Sequence, residues 1–250
     1  LEAKLKKIPF NFKKTMNFQD MILSSNGKIL VGCNNNISIE LISMSNQRLL
    51  LKCFHKLSKI VFLVAAVYAS CSVVDRRILW NDLLLDANTN LPIFLCGDFN
   101  IIRNHNESSN TISHSLLGIN EFNDFILKSN LYEPNICGHK FTWSNGTIFK
   151  KLDRILCNDK GISLFKNLAI KTLPSLHSDH TPLFLVGKTS LPSFQKSSFR
   201  FMNYWTRFKD FKDFVKQNWN TNTSSRENKL EFKLKNLSKL LVTWRKTKKK

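Results

Sequence analysis

From Lys28 to Val186 the chain keeps returning to short apolar runs, each closed by a polar or glycine-bearing turn. No other property narrows the possible folds as much. Runs over residues 28–32, 37–42, 60–68, 91–96, 140–144, 152–156 and 182–186 are too short for helices and suit buried or half-buried strands. Two segments carry helical spacing instead. One covers 75–87, with Ile78, Leu79 and Leu85, and the other covers 117–130, with Ile119, Phe122, Ile126 and Leu127 in a stripe. Many strands with few and irregularly placed helices predict an α/β sandwich of two packed sheets rather than a doubly wound parallel sheet.

The 250 residues, 42% hydrophobic and with 20 Phe, suffice to fill one large core. Composition changes after Lys188. Residues 189–198 are rich in Ser and Pro and read as a linker, and basic helical sequence follows, with Phe201, Trp205, Phe208, Phe211 and Val215, then Leu230, Leu234, Leu237, Leu241 and Trp244, at helical intervals. The expected organisation is therefore one domain over 1–188 and a basic helical extension over 189–250. The 38 Lys+Arg against 18 Asp+Glu give a formal charge of +20, a field that attracts polyanions, and nucleic acid above all. A membrane role fits less well. The most apolar stretch, 60–67, falls short of the ~20 residues a spanning helix needs, and no segment pairs a clean apolar face with a basic one. Six irregularly spaced cysteines, with no zinc-type spacing, predict free, buried thiols and an intracellular location, nuclear or cytoplasmic.

The run 91–96 ends in Gly97-Asp98-Phe99-Asn100. Asp98 and Asn100 are two apart at a strand end, so a carboxylate and a carboxamide can converge on one phosphate. Asp153 lies in Leu152-Asp153-Arg154, and Ser178-Asp179-His180 follows. Phosphodiester hydrolysis needs an activated water, donors to the phosphoryl oxygens and charge neutralisation, usually by a divalent metal. These residues can divide that work. Asp98 and Asn100 would contact water and phosphate, Asp179 would help bind metal, His180 would donate to phosphoryl oxygens or share a proton, and Asp153 would orient the imidazole.

In their order and spacing these three motifs resemble the endonuclease/exonuclease/phosphatase superfamily, and nearly the whole chain is covered. Phe141-Thr142-Trp143-Ser144, together with Phe199-Arg200-Phe201 and Trp205, is most similar to the endonuclease domains of plant LINE-type (non-LTR) retrotransposons. The resemblance implies a deoxyribonuclease-like four-layer sandwich with a basic helical C-terminal extension. It also implies Mg2+ (or Mn2+) as cofactor, DNA or RNA as partner, and a reverse transcriptase domain in full-length relatives. It makes Tyr68 a phosphate contact and Glu2, from the tail of a Glu-Thr-Lys-like motif, the main metal ligand beside Asp179. The strands that precede this Glu in the family do not precede Glu2, so the sequence reads as N-terminally truncated. Three functions stay open: a metal-dependent DNA endonuclease, an inactive nucleic-acid-binding remnant, and a phosphatase of the same fold acting on inositol phosphates or lipids.

Overall fold

A computed structural model of the chain describes residues 5–110, 115–175, 178–189, 201, 205–206, 208–219 and 229–247. The chain divides into two compact units, Leu1–Pro192 and Ser193–Lys250. The first unit begins with α1 (Phe12–Thr15) and the strands β1 (Asp20–Leu23), β2 (Leu30–Cys33), β3 (Ile37–Met44), β4 (Arg48–His55) and β5 (Ile60–Tyr68). It continues through α2 (Val73–Ala87), β6 (Ile93–Asp98), α3 (Leu116–Lys128), β7 (Asn135–Cys137), β8 (Trp143–Ser144), β9 (Phe149–Lys150) and β10 (Asp153–Cys157). It closes with α4 (Asp159–Ser163), β11 (Phe165–Thr172) and β12 (Leu183–Thr189).

The larger sheet has strand order β10-β6-β5-β4-β3, and a second sheet is ordered β12-β11-β7. Strands β5 and β6 run parallel, joined by α2, while β4–β5 and β6–β10 pair antiparallel. Pleating divides the side chains of the large sheet. Leu63, Ala65, Val67, Ile93, Leu95 and Leu156 join Leu79, Trp80 and Leu83 of α2 and Ile119, Phe122 and Phe125 of α3 in one core. Trp80 stacks on Phe122 and Phe125 with centroids 5.1 and 5.2 Å away. On the other face Phe94 of β6 meets Phe165 of β11 edge-on at 6.1 Å, so aromatic side chains pack sheet against sheet.

Both long helices of this unit have capped starts. Ser72 Oγ accepts from Asp75 N at the head of α2, and Ser115 Oγ accepts from Gly118 N at the head of α3. The mixed α/β sandwich agrees with the sequence reading, but β1, β4, β7, β9 and β11 were not legible there, and β4 and β11 are the longest of the five. β4 contains Leu49-Leu50-Leu51, apolar without alternation because both faces of a central strand are covered, and β11 mixes lysines with apolar residues. The expected strand at 140–144 shortens to β8, and the one at 28–32 starts only at Leu30, after a turn. All six cysteines are free. Cys33, Cys53 and Cys157 are buried, whereas Cys71 and Cys137 are exposed, which corrects the expectation of uniformly buried thiols.

The second unit contains α5 (Phe211–Trp219) and α6 (Lys229–Thr247). Trp205, Phe211, Leu241 and Trp244 form its small core, and the Trp244 indole donates to Asp210 Oδ2 at 3.2 Å. Among the described residues no helix is long and apolar enough to cross a membrane.

Gly97 lies where β6 passes closest to β5. Its φ is +143°, and a Cβ there would sit 2.0 Å from the Val67 carbonyl oxygen. Backbone cannot yield as a flexible side chain can. Gly97→Ala is expected to destabilise the first unit by about 3 kcal/mol or more, read as a lowered urea midpoint at unchanged m-value.

Candidate active site

Strand register assembles the site. Tyr68 of β5 pairs with Asp98 of β6, and Asp98 pairs with Asp153 of β10. Residues in one register row of neighbouring strands share a face, so three adjacent strands deliver a phenol and two carboxylates side by side. Arg154, one residue on, necessarily points to the opposite face, where its guanidinium lies over the Phe122 ring of α3.

His180 completes the row from the segment leading into β12. Its Nδ1 faces Asp153 Oδ2 at 2.8 Å. This pairing places the N–H on Nδ1 and leaves Nε2 as the nitrogen available to a substrate. Burial pulls the imidazole pKa down, but the hydrogen bond and charge of Asp153, with Asp98 and Asp179 beyond, more than reverse this, and the net shift is upward. The shift favours the protonated imidazole.

Asp98 is buried, at 3% exposure, and its carboxyl is pushed up to about 6 by burial first and by the charge of Asp153 second. Its Oδ1 accepts from Asn100 N at 2.8 Å, closing a turn in which Asn100 adopts φ +49°. Asn is among the few side chains that tolerate this left-handed conformation. The Asn100 carboxamide donates from Nδ2 to the Ala69 carbonyl at 2.7 Å, which turns Oδ1 away from that loop.

Asp179 sits beside His180, and its Oδ2 accepts from the Trp143 indole at 3.0 Å. Trp143 bridges to His180, and Ser144 N donates to the Asp179 carbonyl, so β8 carries the whole 178–181 segment. Next to it opens a cavity of about 440 Å³, lined by Phe141, Trp143, Phe149, Lys140, Ser178 and Asp179 among others. Glu2 lies outside the described residues.

Sequence reasoning left three supporting residues unassigned. Thr142 is fully buried, its Oγ1 accepts from both Leu152 N and Asp153 N, and its carbonyl accepts from Thr181 N. Thr142 therefore holds the strand of Asp153 and the segment of His180 at once. Arg154, also fully buried, pairs with Glu107 and with Glu133, while Lys151 Nζ reaches Glu133 at 2.9 Å. This four-membered, charge-balanced network fastens β10 from behind. Arg76 is the third and is treated below. The signal for all three was a polar residue inside or beside an apolar run, but no spacing rule says which partner such a residue takes.

The chain belongs to the endonuclease/exonuclease/phosphatase family, whose model matches residues 23–180. The family comprises nucleases and phosphatases that hydrolyse phosphate esters, and its nucleases typically use divalent metal ions. Among solved structures the fold resembles the endonuclease domain of TRAS1, a telomere-specific non-LTR retrotransposon. That match has a TM-score of 0.51 at 10% identity and covers 68% of this chain and 80% of that one. Also similar are the Bacteroides thetaiotaomicron mannosyl-6-phosphatase, at TM-score 0.43, 16% identity and coverage of 70% and 80%, and the human Nocturnin catalytic domain, at 0.41, 14% and 74% and 78%. No curated protein matches the sequence.

Among the described residues no three metal-binding side chains converge. The donor chemistry nevertheless suits a hard divalent cation, which can take one or two carboxylates and fill its shell with water and substrate phosphate. The carboxylates near His180 provide hard oxygen donors of that kind.

Ionising Asp98 inside the protein is disfavoured, so its contribution is greatest when protonated. It is fully present below the ordinary value of 3.8 and lost as pH rises through about 6. Asp98→Asn is therefore expected to stabilise the fold by about 1–3 kcal/mol at pH 7, with the gain vanishing below pH ~4. Thermal unfolding of parent and variant across pH 3.5–8 measures it.

Proposed function

We propose that this chain is a DNA endonuclease-like phosphodiesterase of non-LTR retrotransposon type that works with Mg2+. The observation that carries the reading is the register row Tyr68–Asp98–Asp153, closed by the 2.8 Å contact from Asp153 to His180. In this reading Asp98, with a pKa near working pH, accepts a proton from the attacking water, and the Asn100 carboxamide orients that water and the phosphate. His180, held by Asp153, donates from Nε2 to a phosphoryl oxygen, and Tyr68 contacts the same phosphate. Glu2 and Asp179 would hold a bound Mg2+, which would supply charge neutralisation at the phosphorus centre. The +20 charge and the aromatic cavity beside Asp179 favour nucleic acid over an inositol phosphate or lipid headgroup. The basic second unit adds phosphate contacts and corresponds to the linker toward a reverse transcriptase in full-length relatives.

The test is nicking of supercoiled plasmid in Mg2+, beside Asp98→Ala and His180→Ala. Each variant is expected to lose about 10²–10⁴-fold in rate, the usual worth of a positioned acid or base, and EDTA should abolish nicking reversibly. Equal nicking by all three proteins, or none by the parent, rejects the endonuclease. In the second case salt-sensitive DNA binding that survives both substitutions identifies a non-catalytic binding protein, and phosphate release from an inositol phosphate identifies a phosphatase.

The pH profile gives a second prediction. The rate, kcat/KM, is expected to rise through about pH 6 as Asp98 ionises and to fall at higher pH as His180, its pKa raised, loses its proton, a bell whose acid limb disappears in Asp98→Asn.

A further inference from the structure

Arg76 of α2 is only 2% exposed, yet among the described residues it forms no ion pair with a carboxylate. Its Nη1 donates instead to three main-chain carbonyls: Ser70 O at 2.8 Å, Cys71 O at 2.9 Å and Asn100 O at 3.3 Å. Room for the group is made by Gly118 of α3, where a Cβ would stand 3.3 Å from Arg76 Nη2. Burying a guanidinium costs several kcal/mol, and an apolar side chain of similar length would pack between two helices without that cost. What only the guanidinium can do is tie two loops together. One is the turn at 69–72 that follows Tyr68, and the other is the left-handed turn at Asn100 that follows Asp98.

These two loops already share a bond from Asn100 Nδ2 to the Ala69 carbonyl. Ala69 N also donates to the Asp98 carbonyl at 2.8 Å, but that backbone bond stops at Asp98, and the carboxamide is fixed only if the turn beyond it keeps its spacing from the 69–72 loop. The 69–72 turn is further held by Gln47, whose Oε1 accepts from Ser70 N at 2.6 Å. Among the described residues the side-chain partners of the Asn100 backbone are the Asp98 carboxylate and Arg76, and the guanidinium links it to α2.

We propose that Arg76 is a positioning residue for the reacting loop: its buried guanidinium fixes the Asn100 backbone against the turn after Tyr68, and so aims the Asn100 carboxamide at the water and phosphate. This rests on the role given above to Asn100.

The experiment uses the full chain with Arg76→Met, Arg76→Lys, Asn100→Ala and the double variant Arg76→Met/Asn100→Ala. Nicking kinetics are read beside backbone hydrogen exchange. Arg76→Met is expected to lower kcat about 10–100-fold with KM within about twofold, as expected for misalignment on the 1 Å scale, and Arg76→Lys to recover part of it. In the Asn100→Ala background the same substitution should cost less than about twofold, because an effect exerted through Asn100 is lost with it. Equal costs in both backgrounds overturn the proposal. Exchange decides independently of activity, and so also if the parent proves not to nick, which would reject only the endonuclease reading. Faster exchange in Arg76→Met confined to peptides over 69–72 and 98–102 supports the proposal. Unchanged exchange there, or acceleration spread equally over β4 and β5, overturns it. If Arg76→Met does not fold, Arg76→Lys is read by the same criteria.

Discussion

Two carboxylates face each other across adjacent strands, and much of the first unit is arranged around that fact. Pairing β6 with β10 places Asp98 directly opposite Asp153, where like charges disfavour the strand pair. Neither group is relieved by solvent, since both are buried. The surroundings divide the load. Asp153 receives an imidazole whose proton it stabilises, while Asp98 receives one backbone N–H and otherwise tends toward protonation. The result is an inequality between two chemically identical side chains: Asp153 is engaged by the imidazole, whereas Asp98 is pushed up to about 6. Two carboxylates in such unequal surroundings are equipped for different tasks.

Behind the pair stands a second set of charges that never reaches the cleft. Arg154, Lys151, Glu107 and Glu133 neutralise one another under β10, on the face toward α3. Replacing such a network by apolar residues is often tolerated, but removing one member strands the others at about 3–5 kcal/mol. It therefore acts as an all-or-nothing clamp on the strand of Asp153. Thr142 does the same by hydrogen bonding, with one hydroxyl serving two consecutive N–H groups.

The sequence disclosed the fold class and the polar residues of the row, because both depend on local pattern. Short apolar runs announced strands, and Asp98, Asn100, Asp153, Asp179 and His180 stood out as polar residues next to them. What stayed hidden depends on long-range pairing. β4 is apolar on both faces and therefore lacks the alternation by which a half-buried strand is recognised, although it is central to the large sheet. The partners of Arg76, Arg154 and Thr142 were equally invisible, since a hydrogen bond across 24 or 47 residues leaves no spacing to read. The exposed Cys71 and Cys137 were missed for the opposite reason: a cysteine carries no mark of whether its turn faces inward.

The bond between His180 and Asp153 joins two different sheets. Asp153 belongs to β10 of the five-stranded sheet, whereas His180 enters β12 of the three-stranded one. The 2.8 Å contact is thus a gauge of how the two layers are aligned, and a slip of one past the other by a fraction of a side chain would break it. Well away from the cleft, Phe94 of the larger sheet meets Phe165 of the smaller one, a contact that helps hold the two layers together. Neither phenylalanine carries a polar side-chain atom. Packing between the sheets therefore bears directly on the distance between imidazole and carboxylate.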